Sequence, residues 1–201
     1  EGEVLLRLTA KARSKEEAEA MMAPALEKVR AVLGDVIYGV DTDTLENTVF
    51  QLLKEQGKTL AAAESCTGGL LSKRLTDLPG SSAVFLGGVV SYATRSKVSV
   101  LGVDEAVLKN NPVASRPVAE AMARRARELF GADFGIGITG VAGPDPDENG
   151  TEPGTVYIAL DTGDQTFCRE PLHFTDRARV RSFAASTGLD MLRRYLTGRP
   201  V

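Results

Sequence analysis

The chain has 201 residues, 43% hydrophobic and 25% charged, with a formal net charge of −3. That suits one sizeable domain or a domain with an appendage, and it argues against a broad nucleic-acid surface, which needs a basic excess. No apolar run approaches the ~20 residues that cross a membrane, and no signal peptide is expected, so a cytoplasmic protein with neither nucleic-acid nor membrane partner is expected. Cys66 and Cys168 make no disulfide framework, and there is no Cys-x-x-Cys. With His173 as the one histidine, a zinc site is nearly removed, and a Ser-His-Asp triad would hang on one residue.

The chain starts at Glu1 without Met, within a strand-like run, Val4–Leu8, and reads as a fragment of something longer. Ser14 and Glu17 form a capping box. Ala18, Met22, Ala25, Val29 and Leu33 then follow helical spacing to a Gly34 stop, with Pro24 expected to kink or break the helix. Val36–Val40 reads as a further strand, so residues 1–42 form a small strand–helix–strand segment that must pack on something.

Residues 43–201 read as the main domain. Asp43 and Glu46 make a capping box, and Leu45, Val49, Leu52 and Leu53 form the apolar face of a helix that Gly57 ends. In Leu60–Leu71 an apolar run climbs to Glu64, small polar residues follow, and Gly68-Gly69 open a helical pattern. This is a strand, a tight turn and a helix, with Ser65 at the strand end beside the helix N-terminus. Unpaired N–H groups there suit an anion or a developing oxyanion, although Ser and Thr at such positions also serve as plain caps.

Gly80-Ser81-Ser82 opens a strand from Ala83 to Tyr92 whose nearly continuous apolar run suggests cover on both faces. Ser115 and Pro117 start a helix with Val118, Met122, Leu129 and Phe130 inward, and Asp133–Val141 is a buried strand. Gly143–Gly154, rich in proline, glycine and acids, is a loop placed to act as a lid. Thr155–Leu160 and Thr166–Phe174 pair as a hairpin, and a long helix runs from Thr175 to about Leu196. The fold class is therefore α/β: a three-layer α/β/α domain with a mixed sheet, preceded by the small segment.

Several clusters invite chemistry. Gly135-Ile136-Gly137-Ile138-Thr139-Gly140 matches the dinucleotide pattern, but its first glycines fall inside a strand and no helix follows, so that reading fails. Cys66 is either a thiolate activated by the helix end or a small buried hydrophobe. Tyr92 and Lys97 lie at the sheet's carboxyl edge, where open α/β sheets bind ligands. Lys97 is either a general base with a depressed pKa or an ordinary solvated lysine. Arg177, Arg179 and Arg181 crowd the start of the last helix, where cations oppose the dipole unless an anion compensates.

Together, Ala63-Glu64-Ser65-Cys66-Thr67-Gly68-Gly69, Gly80-Ser81-Ser82, Ser91-Tyr92 with Lys97, Thr139-Gly140-Val141-Ala142-Gly143-Pro144, Pro153-Gly154-Thr155-Val156 and Asp176-Arg177 resemble the C-terminal domain of the CinA family. That family includes nicotinamide-nucleotide amidohydrolase. Residues 1–41 resemble the end of its KH-like linker domain, without a GxxG loop. The resemblance implies hydrolysis of nicotinamide mononucleotide to nicotinate mononucleotide and ammonia, with no cofactor. It implies Ser65 as nucleophile, Lys97 as base and Tyr92 nearby, with Thr67, Gly68, Thr139, Gly140 and Arg177 binding the substrate or its phosphate. It also implies an N-terminal domain beyond this chain, linked to ADP-ribose hydrolysis. A homo-oligomer, specifically a dimer, is expected. The competing expectations are a non-catalytic regulatory or binding domain and a Cys66 hydrolase.

Overall fold

The structure, a computed structural model, describes residues 3–41, 44–170 and 176–201. Five strands form one sheet in the order β2-β1-β3-β4-β5: β1 (Leu60–Glu64), β2 (Phe85–Val90), β3 (Phe134–Gly140), β4 (Val156–Asp161) and β5 (Thr166–Arg169). The first three are parallel, β4 and β5 antiparallel, so the sheet is mixed. On one face lie α2 (Leu45–Gln56), α3 (Leu70–Thr76) and α7 (Arg177–Leu196), and on the other α6 (Arg116–Phe130). Two short helices, α4 (Thr94–Ser99) and α5 (Glu105–Asn110), link β2 to α6. This is the expected three-layer α/β architecture.

Alternation along β1 divides the core. Leu60 and Ala62 pack with Val49, Leu53, Leu71, Ala184 and Leu189, while Ala61 and Ala63 pack with Val118, Met122 and Ala126. The second face is made of small residues because α6 lies almost on the strands. A Cβ added at Gly135 would stand 2.0 Å from the carbonyl oxygen of Ala123, and one at Gly137 would stand 2.3 Å from that of Ala119. The glycines of the misleading dinucleotide pattern therefore admit a helix, not a pyrophosphate. Gly137→Ala should push α6 off the sheet and cost about 1–3 kcal/mol, a fall in Tm of roughly 2–12 °C for a domain of this size. An unchanged melting curve would contradict this close packing.

Several local expectations are corrected. Strand β2 starts at Phe85, after a 3₁₀ turn at Ser81–Ala83. Among the described residues it pairs only with β1, as an edge strand, with Leu86 and Val90 exposed rather than covered. In α6, Leu129 faces solvent, while Val118 and Met122 are buried. Thr44 caps α2 by accepting the N–H of Asn47, and Asp43 lies outside the described residues. The expected extension of β5 to Phe174 and the start of the last helix at Thr175 likewise lie outside the described residues; α7 is capped by Asp176.

The N-terminal segment keeps its helix, α1 (Lys15–Leu33), but not its strands. Val4–Leu8 is irregular, and Gly34–Val36 is a 3₁₀ turn leading into irregular chain. An isolated strand has no partner for its backbone groups, and no described residue pairs with these. Pro24 does not break α1. The carbonyl that it deprives of a partner belongs to Ala20, which is exposed and can be hydrated. The segment meets the domain through Tyr38, which packs against the core, and through polar contacts. Glu3, which also accepts from Tyr38 within the segment, accepts from Arg74; Arg193 donates to the carbonyl of Asp35 at 2.9 Å, and Arg199 pairs with Asp35.

Candidate active site

The carboxyl ends of the parallel strands β2, β1 and β3 converge on Ser65. Glu64 ends β1 fully buried, and its carboxylate accepts from the N–H groups of Leu71 (3.1 Å) and Ser72 (2.8 Å) and the hydroxyl of Ser72 (2.6 Å). The anion at the N-terminus of α3 is thus the protein's own, and the expectation that this helix end would receive a ligand is corrected. Glu64 anchors the turn. Beyond it, Ser65 donates its N–H to the carbonyl of Ile138 (2.9 Å) and accepts at its own carbonyl from Gly68 (2.9 Å). Gly68 and Gly69 turn the chain into α3 with φ of 61° and 92°, the left-handed region that a side chain resists. Among the described residues, the N–H groups of Cys66 and Thr67 are taken up by no backbone carbonyl, so the turn itself offers donors beside the Ser65 hydroxyl.

Lys97 lies on α4 with none of its surface exposed. Its Nζ stands 3.0 Å from Ser65 Oγ and donates to the carbonyl of Ser91 at 2.7 Å. Burial pulls its pKa down from the ordinary lysine value to about 8, the neighbouring Cys66 opposing weakly. The solvated-lysine reading is thereby set aside. A nearby arginine is not needed for this shift, since desolvation of the ammonium is its main cause. Cys66 shows the opposite effect: burial pushes its thiol up to about 11, which disfavours the thiolate that a cysteine hydrolase needs.

A cleft of 340 Å³ opens over Ser65, between Tyr92 and Thr94 on one side and Val113, Ala114 and the loop from Gly140 to Asn149 on the other. Ser65, Tyr92, Gly140 and Arg177 line it. Among the described residues Tyr92 makes no hydrogen bond to the Ser65–Lys97 pair; its hydroxyl accepts from Arg177 at 3.0 Å. Arg177 also donates to the carbonyl of Gly143 (2.8 Å), tying the loop to the domain. Among the described residues no carboxylate pairs with Arg177, so its charge stays available to an anion. Asp176, not a ligand, compensates the start of α7, accepting the N–H of Arg179 at 2.8 Å.

Thr67, Gly68 and Thr139 sit behind the cleft rather than on its wall. Thr139 is fully buried and donates to the carbonyl of Val113 (2.9 Å), which fixes the segment that carries Val113 and Ala114. Thr67 is buried, with its carbonyl held by Arg181 at 2.7 Å. Lys97 is buried next to Ser65, its amine within hydrogen-bond reach of the Ser65 hydroxyl at the cleft. Sequence reasoning set the acid-rich loop beside the site as a lid but did not single out Asp145, Asp147 and Glu148 as wall residues, and it missed Val113, Ala114 and the contact of Arg181 with the Ser65–Gly68 turn. The Pro- and acid-rich composition after Thr139 was the one signal for the acids.

Residues 42–196 match the CinA C-terminal domain, and residues 1–39 match the damage-inducible protein CinA KH domain. A CinA-like protein of Frankia casuarinae is 47% identical over 199 residues, covering 99% of this chain and 46% of that protein. A putative competence-damage inducible protein of Caldanaerobacter subterraneus is 41% identical over 201 residues, covering all of this chain and 48% of that protein. The chain thus spans about half the length of the curated relatives it matches. Among solved structures, a competence-damaged protein (CinA) superfamily protein from Klebsiella pneumoniae aligns at a TM-score of 0.73 and 29% identity, over 78% of this chain and 99% of that one. One from Escherichia coli aligns at 0.70 and 32%, over 80% and 97%.

Proposed function

The chain belongs to the CinA family, and from that premise we propose that it is an amidohydrolase converting nicotinamide mononucleotide to nicotinate mononucleotide and ammonia. The observation that carries the reading is the buried Lys97 amine 3.0 Å from Ser65 Oγ, at the floor of an open cleft. A chain almost without histidine needs another base for its serine, and a desolvated lysine supplies one.

In this reading Ser65 Oγ attacks the carboxamide carbon as its proton passes to Lys97. The N–H groups of the Cys66–Thr67 turn face the developing oxyanion. As the intermediate collapses, the C–N bond breaks and Lys97 returns the proton to the leaving nitrogen, releasing ammonia and a Ser65 ester. Water, deprotonated by Lys97, then opens the ester to the carboxylate and frees Ser65. No cofactor enters the cycle. Nicotinamide mononucleotide fits the cleft's division of charge: the phosphate toward Arg177, the cationic ring toward the acids of the loop. The test is ammonia release from nicotinamide mononucleotide, nicotinamide riboside and nicotinamide. The nucleotide should be the best of the three; no ammonia from any of them would overturn the reading.

Arg177→Ala should raise KM for the mononucleotide by roughly tenfold or more, as loss of a charge-assisted contact does, and change the riboside far less. An equal loss on both substrates would show that Arg177 acts only by tying Gly143 and Tyr92 in place.

A further inference from the structure

Two hydroxyls beside the Ser65–Lys97 pair are buried without a hydrogen-bond partner among the described residues: Ser91 Oγ and Thr67 Oγ1. Both residues have none of their surface exposed. A buried hydroxyl left unpaired is costly, and two of them beside one amine need an explanation.

The amine supplies it. A neutral Lys97 has two N–H donors and one lone pair, and Ser91 O and the Ser65 hydroxyl suffice for it at 2.7 and 3.0 Å. Once it takes the proton of Ser65 it becomes an ammonium with three donors. The described structure gives it two acceptors, Ser91 O and Ser65 Oγ, and the second is then spending its electrons on the new bond to carbon. We propose that Ser91 is the third member of this site, a positioning residue whose hydroxyl accepts from the Lys97 ammonium when that group holds the proton of Ser65. The proposal rests on reading Ser65 and Lys97 as nucleophile and base.

Ser91 fits this role better than Thr67. Its carbonyl already binds Nζ, and one serine can chelate an ammonium through its carbonyl and hydroxyl oxygens after a single side-chain rotation. Its N–H donates to the carbonyl of Glu64 at 2.8 Å, which locks it beside the nucleophile across the β1–β2 ladder. The titratable and charged groups around the amine are the Cys66 thiol on the turn, the Glu64 carboxylate held by α3, and Arg181 reaching in from α7 to Thr67 O. None of the three makes a hydrogen bond to Nζ among the described residues, so the third acceptor falls to a hydroxyl.

A fluorophosphonate probe tests this without reference to the substrate. Ser65 Oγ forms a bond to phosphorus, fluoride leaves, and the serine proton passes to Lys97, so the labelling rate against pH reports the base. In the unaltered protein the rate should rise through one inflection. Ser91→Ala should move that inflection about one pH unit down and lower the plateau about tenfold, the ~1.4 kcal/mol that one unit represents. Ser91→Thr should restore both. Thr67→Val should leave the inflection in place. If Ser91→Ala fails to fold, Ser91→Cys, a poor acceptor of similar size, takes its place with the same shift expected. An unmoved inflection in the Ser91 variants, or a shift produced by Thr67→Val instead, overturns the proposal. No labelling of the unaltered protein would overturn the Ser65–Lys97 pair itself. Labelling that behaves as expected while nicotinamide mononucleotide releases no ammonia would sustain the role of Ser91 and discard only the substrate.

Discussion

If the proposed reaction holds, Ser65→Ala should abolish ammonia release, with a fall in kcat of roughly 10⁴-fold or more, as loss of an enzyme nucleophile does. The fold survives. The change removes one hydroxyl from a residue whose backbone is held by Ile138 and Gly68, so Tm should move by only a few degrees. Substrate binding, set by Arg177 and the cleft walls, should persist; calorimetry with the mononucleotide would show it. Residual turnover above a few per cent would mean that water, not Ser65, attacks the amide.

Lys97 carries the second large effect, and it splits activity from stability. In the proposed mechanism deprotonated Lys97 is the active form, so kcat/KM should rise with pH through an apparent pKa near 8 and level off above it. Lys97→Arg should be nearly inactive although it keeps the charge, since a guanidinium does not give up its proton in this range. Lys97→Met should be equally inactive, yet more stable than the unaltered protein near pH 7. The sign follows from linkage. A lysine lowered from 10.5 to about 8 on folding binds fewer protons folded than unfolded between those values, so stability rises with pH across that window. Below pH 8 the full cost of burying the ammonium is present, on the order of 3 kcal/mol, and Met removes it while filling the same space. A Lys97→Arg variant with substantial activity would reduce the lysine to an electrostatic contact. Glu64 would not replace it, because three donors of α3 already hold its carboxylate.

Much of the domain was legible because its signals are local. Gly57 and Gly34 stop helices, the hairpin turns around Gly163, and the run from Leu60 to Glu64 ends in a Gly-Gly turn. Neighbour relations were not legible. The apolar run through Leu86 and Val90 reads as a central strand, and only the sheet order shows it to be an edge. Val4–Leu8 and Val36–Val40 have strand composition, but a strand exists only with a partner, and composition does not say whether one is in reach. At the site, Ser65 and Lys97 were legible as a pair by family resemblance, but their contact spans 32 positions and depends on α4 turning the lysine inward. Thr139 shows the limit of motif reading: it stands in the motif, yet its hydroxyl serves Val113 behind the wall. The capping carboxylate of Glu64 could not be read at all, since a glutamate at a strand end looks the same whether it faces solvent or folds back onto a helix.

Partition with hydroxylamine tests the central claim most directly. If Ser65, activated by Lys97, forms an acyl-enzyme with the nicotinoyl group of the mononucleotide, hydroxylamine should intercept that ester. The chain should then produce the hydroxamate alongside nicotinate mononucleotide while still releasing ammonia. Ammonia release that yields only nicotinate mononucleotide, at hydroxylamine concentrations that trap other serine esters, would contradict the account.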